Sequence, residues 1–336
     1  MDEWQFFNPK KNHAFGYCDT RLLLARREGR VVGRVMGIIN RRVNEYRHEN
    51  SGRFGFLESP DDVEVCHGLL GTIEAWARER GMGKVVGPMG FTDQDPEGLV
   101  IEGFGESPTI ATTCNFPYIV GLVESAGYTK EVDYFTYKLD VLGQMPELHE
   151  KVCRRLADRG GYRMLEFKRR SELKPWVRPV LQLMNETFVR LYGYAPMDEA
   201  ELDELARRYL PIIDPRFVKG VTKNDELLAF VIAMPNADEG LRRSGGHLFP
   251  FGFLHILAAM KRAKQLDLLL GGIKQEYRGR GLDTMLAVAM MREAREAGFE
   301  VIDTHHELES NTLVRHEMER LGGRVCKRLR ILQKAL

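Results

Sequence analysis

Lys274-Gln275-Glu276-Tyr277-Arg278-Gly279-Arg280-Gly281-Leu282-Asp283 lies between an apolar run, 266–273, and the segment 282–297. In that segment Leu282, Met285, Leu286, Ala289, Met290, Ala294 and Ala297 recur at helical spacing, and Gly298 supplies a stop. Strand, glycine-rich turn and helix therefore follow one another, an α/β layout. Glycines let backbone approach a ligand closely, and the first amides of a helix have no partner inside it. With Arg278 and Arg280 alongside, the turn predicts a cradle for a diphosphate. The plainer reading is a strand-to-helix turn with solvated arginines.

Other phosphate motifs do not fit. No G-x-x-x-x-G-K-[ST] occurs, and Thr284 stands where G-x-G-x-x-G needs its third glycine. Asp283, an acid in the first helical turn, suits the helix dipole but repels a diphosphate unless it points away.

The chain before this stretch reads as an outline that occurs twice. A hairpin is expected at 21–26 and 31–39 around Gly29, a strand at 54–57, a helix at 63–80 after Ser59-Pro60-Asp61-Asp62, and a strand at 84–86. A helix at 116–126 and a strand at 131–141 complete the first pass. The residues 1–17, rich in Phe and Tyr, are expected to pack on its sheet. After a helix at 146–159 comes a strand at 162–167, helices at 171–191 and 197–209, and a hairpin at 216–222 and 227–234. The decisive strand, turn and helix follow, then a strand at 299–304, a helix at 311–321 and a closing strand at 325–332. Two acids open the first long helix where the second has arginines, so the first pass is not expected to bind phosphate. The segment 89–115 is long and irregular and carries Asp93, Asp95, Glu97, Glu102 and Glu106. It reads equally as a cover and as a pocket wall.

Composition narrows the function. The 336 residues hold 49 Lys plus Arg against 48 Asp plus Glu, which argues against a nucleic-acid partner. The five cysteines are dispersed without C-x-x-C, and no H-x-x-x-H or H-E-x-x-H occurs, so neither a disulfide framework nor a metal site is expected. No leader and no apolar run of about 18 residues is evident, so no membrane span is expected and a cytoplasmic protein is.

Arg278, Gly279-Arg280, Gly281 and Leu282 resemble the coenzyme A loop of the GNAT acyltransferase superfamily: Arg or Gln, two residues, Gly, one residue, then Gly or Ala. Asp283 departs from the last position. The resemblance extends to a tandem GNAT-like bacterial family of poorly defined function through Val32-Gly33-Arg34, Phe54-Gly55-Phe56, Gly87-Pro88-Met89, Glu97-Gly98-Leu99, Glu102-Gly103-Phe104 and Lys327-Arg328-Leu329-Arg330-Ile331. It implies an α/β fold with mixed sheets in two tandem GNAT-like domains. Residues 1–145 would form a degenerate or incomplete copy, 146–160 a linker helix, and 161–336 the domain with the acyl-CoA loop.

The resemblance also implies an N-acyltransferase using acetyl-CoA or another acyl-CoA as co-substrate. Gly272 and Ile273 would supply backbone donors, Asn311 would approach the coenzyme A arm, and Arg278, Gly279, Arg280, Gly281, Leu282 and Asp283 would form the loop. The tyrosine that often serves as acid in that superfamily is replaced by Met318. Candidate bases are His305 and Glu307 in the cluster His305, His306, Glu307, Glu309. Adjacent histidines are expected to point apart, with at most one facing the pocket. A helix at 251–264 has no equivalent in the minimal pattern. It suits a small-molecule or lipid-like amine acceptor or a second subunit of a homodimer, although packing on the sheet is the simpler expectation. Rival readings are an aminoacyl-tRNA-dependent transferase and a non-catalytic acyl-CoA-binding protein.

Overall fold

A computed structural model describes residues 3–110, 112–141 and 143–336. Met1 and Asp2 of the expected packing segment, Ala111 of the long loop and Leu142 lie outside them. The first half runs α1 (Glu3–Phe6), β1 (Cys18–Arg27), β2 (Arg30–Asn40), α2 (Arg41–Arg47), β3 (Ser51–Glu58), α3 (Val63–Glu79), β4 (Lys84–Gly87), β5 (Leu99–Glu102), α4 (Pro117–Ser125) and β6 (Thr129–Asp140). Helix α5 (Glu147–Gly160) leads to β7 (Arg163–Glu166), α6 (Arg170–Thr187), α7 (Glu199–Tyr209), β8 (Val218–Lys223), β9 (Glu226–Pro235), α8 (Asp238–Arg243), α9 (Gly252–Arg262) and β10 (Gln265–Ile273). The chain closes with α10 (Leu282–Glu296), β11 (Val301–Asp303), β12 (Glu307–Leu308), α11 (Thr312–Arg320) and β13 (Arg324–Ala335).

Local chemistry sets these elements. Glu28 and Gly29 both take positive φ between β1 and β2, as do Asn224 and Asp225 between β8 and β9. Those are the two-residue loops whose twist matches antiparallel strands. The Asp62 carboxylate accepts the Val65 amide and caps α3. One face of α3, including Leu69, Leu70, Ile73 and Trp76, is buried on the first half of the sheet. Helix α10 buries Met285, Leu286, Ala289, Met290 and Ala294 on the second.

The described strands join in one sheet, ordered β1-β2-β3-β4-β13-β6-β11-β10-β9-β8-β7, with β5 and β12 attached to β13 and β6. This order crosses the expected division of the chain three times, between β4 and β13, β13 and β6, and β6 and β11. The carboxy-terminal β13 lies between β4 and β6 of the first half, with Leu332 opposite Gly87 and Leu329 opposite Tyr134. Strand β6 in turn lies against β11 of the second half, with Ile302 opposite Leu139. Each half thus lends its last strand to the other, and β6 with β13 forms the centre of the molecule.

Asp133 of β6 pins this centre. Its fully buried carboxylate accepts from Arg328 Nε at 2.9 Å and Arg330 Nε at 2.8 Å, both on β13. Burial alone would raise its pKa, but the two guanidiniums more than offset that and hold it below the usual carboxylate range. A buried pair that loses one partner costs about 3–5 kcal/mol. Both arginines reach solvent, so Asp133→Asn should cost less, about 2–3 kcal/mol. A urea titration should show one cooperative transition with an earlier midpoint. Separate melting of the two halves would contradict the exchanged-strand arrangement.

Candidate active site

The parallel strands of each half touch only briefly and then diverge. In the second half β10 and β11 pair over Gln265–Asp267 with Val301–Asp303. Beyond Asp267, β10 continues to Ile273 against β9 alone. No backbone hydrogen bond among the described residues joins 268–273 to 304–311. A split therefore opens beside β10, and its mouth lies at the carboxyl ends of two parallel strands, where open α/β sheets hold ligands. Leu269 sits at a bulge in β10, between the shifted registers of Leu268 and Leu270.

In the first half the corresponding split is closed by the chain itself. Strands β3 and β4 pair over Ser51–Arg53 with Lys84–Val86. The Met89 amide then donates to the Phe54 carbonyl at 2.8 Å. A Cβ on Gly55 would stand 2.4 Å from the Met89 carbonyl oxygen, so backbone fills this gap. Phe6, Phe56 and Phe91 pack beside it, and buried Arg53 donates to the carbonyls of Gly90, Phe91 and Gly193. The amino end of α3 is occupied by Asp62, which also pairs with Arg27 at 2.7 Å.

At the mouth of the open split, Gly279 and Gly281 take φ of 71° and 86° and turn the chain into α10. Arg278, Gly279, Arg280 and Asp283 are exposed, Gly272, Ile273 and Gly281 are half-buried, and Leu282 packs in the core. The Asp283 side chain accepts the Thr284 amide at 2.9 Å, so it takes one of the free amides of the first turn while remaining at the surface. A Cβ on Gly281 would meet Leu156 and Val152, so α5 packs against the turn's inner side. Partial desolvation, and then the nearby Arg190 guanidinium, depress the pKa of Arg278. Arg190, Arg278 and Arg280 form no ion pair among the described residues. Three cations without counter-charge beside a helix amino terminus suit an anion.

The other side of the split begins where β11 ends. The rings of His305 and His306 stack, with centroids 4.5 Å apart and planes 26° apart. This corrects the expectation that they point apart: residues 304–306 lie outside any strand, so strand alternation does not separate the two rings. Burial lowers the His305 pKa to about 4 and drives that of His306 well below its usual value. Nδ1 of His305 and Nε2 of His306 are buried without a hydrogen-bond partner. Burial raises the Glu307 pKa to about 8, and Asn311 Nδ2 donates to its Oε2 at 3.4 Å. Both candidate bases and Asn311 therefore share one short segment. Met318 is half-buried against the cluster of Leu139, Val288 and Met291.

Sequence order hid several neighbours. Strand β6 brings Tyr134 from the first half to 5.4 Å from the His306 ring. Buried Glu97 lies near Tyr134, and its pKa is raised to about 8, first by burial and then by Asp93. Part of the long segment is neither wall nor cover but sheet, since it contains β5 paired with β13. At the closed end of the split, Asp267 and Asp303 face each other in register and both are buried. Burial raises them to about 6 and about 7. Gln265 bridges them, and Asn236 donates to Asp267 at 2.9 Å. A lone acid inside each of two apolar strand runs was the available signal for this pair. Nothing in the sequence marked Arg190 or Tyr134.

The architecture, with its diverging parallel strands and glycine turn, is that of a tandem GNAT-like α/β protein. Among solved structures it is similar to a tandem GNAT protein from the clavulanic acid biosynthesis pathway (TM-score 0.53, 14% identity, 95% of this chain and 83% of that one). It is also similar to a GCN5-related N-acetyltransferase from Sphaerobacter thermophilus (TM-score 0.50, 12% identity, 94% and 80%). The chain therefore has the tandem fold of the GNAT acyltransferase superfamily. No family model matches it. In sequence it is 29% identical over 344 residues to a bacterial ceramide synthase of Caulobacter vibrioides, covering all of this chain and 89% of that protein. It is 24% identical to Protein YghO of Escherichia coli, covering 97% and 85%.

The pair Asp267 and Asp303 gives a signed pH dependence. An acid whose folded pKa lies above its unfolded value stabilises the fold fully below the unfolded pKa, near 4, and loses that contribution as pH rises through the folded value. For Asp303 this window closes at about pH 7. Asp303→Asn should therefore melt several degrees higher than the parent at pH 8.5 and close to it at pH 4.5. Equal shifts at both pH values in thermal scans would show that Asp303 ionises normally.

Proposed function

We propose that the protein is an N-acyltransferase that moves an acyl group from acyl-CoA to the amine of a long-chain, lipid-like acceptor. The observation that carries this reading is the open split beside β10, with uncompensated Arg190, Arg278 and Arg280 at its mouth, where the first half's split is filled. Paired phosphates match that charge, and an extended pantetheine arm would lie along the edge of β10 that the split leaves unpaired. The acceptor class rests on the full-length similarity to a protein named as a ceramide synthase. A ceramide is an N-acylated long-chain amino alcohol, which also favours a long acyl chain over acetyl.

The chemistry is direct attack. The amine nitrogen forms a bond to the thioester carbonyl carbon, and the oxyanion is met by outward-facing amides of the unpartnered edge of β10, such as Ile273. The Gly272 amide, in register with that of Lys274, faces β9 instead. His305 is neutral at pH 7 and accepts the proton released by nitrogen. Glu307 is largely protonated at pH 7 and supplies a proton to the sulfur as the C–S bond breaks, a role that Met318 lacks the chemistry to fill. Asn311 orients Glu307. The proton on His305 then returns through solvent to Glu307.

Calorimetry tests the binding step. Coenzyme A should bind the parent, and the double variant Arg190→Glu, Arg278→Glu should weaken it at least tenfold, which is about 1.4 kcal/mol. No coenzyme A binding by the parent would remove the proposal. Turnover tests the roles. Glu307→Gln should lower kcat by roughly 10²–10⁴ and abolish the fall in rate expected above about pH 8. Binding without turnover on long-chain amines would instead favour the acyl-CoA-binding role that Met318 suggests.

A further inference from the structure

Helices α8 and α9 form a hairpin between β9 and β10, and its outer face is apolar and bare. Six of the eighteen exposed large apolar side chains among the described residues fall within 248–257: Leu248, Phe249, Phe251, Phe253, Leu254 and Leu257. Phe249 is 82% exposed and Phe251 67%. The expectation that α9 packs on the sheet is thereby corrected, because Gly252 is its one buried residue. The hairpin is nevertheless firmly built. A Cβ on Gly240 would stand 2.5 Å from Ile256 Cα, and one on Gly252 would stand 1.6 Å from the His247 carbonyl oxygen. The two helices therefore meet backbone to backbone and leave the aromatic residues outside.

Charge selects what covers this face. Lys261 follows Leu254 and Leu257 along the exposed face of α9, with Arg262 beside it. Neither forms an ion pair among the described residues. Arg242 and Arg243 rim the opposite side, paired only within α8 to Asp238 and Glu239. Between Asp238 and Lys264 the basic residues are Arg242, Arg243, Lys261, Arg262 and Lys264, and the acids are Asp238 and Glu239. The segment thus carries a net charge of +3. Aromatic and leucine side chains on one side with cations at the rim match the interface of an anionic bilayer. No helix among the described residues is long and apolar enough to cross a membrane, so the contact is with the surface.

We propose that the α8–α9 hairpin docks the protein on an anionic membrane surface, with Phe249 and Phe251 entering the headgroup layer and Lys261 and Arg262 facing lipid phosphates. The root of the hairpin adjoins the closed end of the split, since Asn236, two residues before α8, bonds Asp267. Its tip lies about 16 Å away at helical rise. The docking itself is independent of the transfer reaction. Its use, delivery of a bilayer-held amine to the split, rests on the function proposed above.

Vesicle co-sedimentation decides the matter without acyl-CoA. The full chain should sediment with phosphatidylglycerol-containing vesicles and at least fivefold less with pure phosphatidylcholine. Phe249→Asp with Phe251→Asp should abolish sedimentation, and Lys261→Glu with Arg262→Glu should abolish the preference for anionic lipid. Both variants should keep the parental circular dichroism and bind coenzyme A as the parent does, which separates failure of docking from failure of the enzymatic reading. Absence of vesicle binding by the parent overturns the proposal. So does a concentration-dependent dimer, seen by sedimentation velocity and lost in the phenylalanine double variant, because a second copy would then cover the face.

Discussion

A carboxylate buried between two arginines holds the middle of this molecule. Asp133 on β6 is fully enclosed, and its partners Arg328 and Arg330 lie on the last strand of the chain. Ion pairs of this kind contribute modestly to stability because both partners lose water, yet they are costly to mismatch. Here the mismatch would be a register slip of β13. A slip of one residue moves Leu329 and Ile331 out of the core and turns the arginines away from Asp133. The pair thus acts on specificity: it fixes which residues of β13 face β6, and with them which face of the sheet each half presents.

That fixed register explains how one half acts on the other's site. Because β6 must lie beside β11, Tyr134 stands at the histidine pair and β12 pairs with Phe135 and Tyr134. The segment after α6 reaches the opposite way, where Gly193 accepts from Arg53 and Glu201 pairs with Arg42. The two splits have the same origin, a parallel pair that stays together for three residues, yet opposite contents. Filling the first with Met89 and Phe91 exchanges a ligand cavity for apolar burial, which stabilises the fold. Leaving the second open keeps that stabilisation unrealised, as functional sites commonly do.

Much of this was legible from periodicity and turn chemistry. The hairpins at Gly29 and at Asn224-Asp225, the cap at Asp62 and the turn at Gly279 to Gly281 are local, and local rules found them. The exchange of β6 and β13 was not legible, because both read as ordinary strands whatever their neighbours. With it went Tyr134 and Arg190, residues whose importance lies in what a distant segment brings beside them. The short strand β5 was lost inside an irregular stretch, since four residues give no period. For α9 the amphipathic pattern was plain, but pattern alone does not say whether the apolar side faces protein or something outside it.

The electrostatic layout of the open split follows from its burial gradient. At the exposed mouth, Arg190, Arg278 and Arg280 stand without ion-pair partners among the described residues. Deeper in, desolvation favours neutral forms, so His305 is an uncharged base while Glu307, Glu97 and Asp303 incline to the protonated acid. A thioester laid along that gradient would have its phosphates where charge is tolerated and its reacting carbonyl where it is not. An amine that reaches the inner part of the split would lose water before it meets the thioester. In that setting a neutral acceptor of protons beside a neutral donor is more useful than two ions, since neither must be recharged against the low dielectric before the proton moves. The same gradient suits an acceptor with a long apolar body, because such a molecule loses little by leaving water and carries only one polar group to be matched.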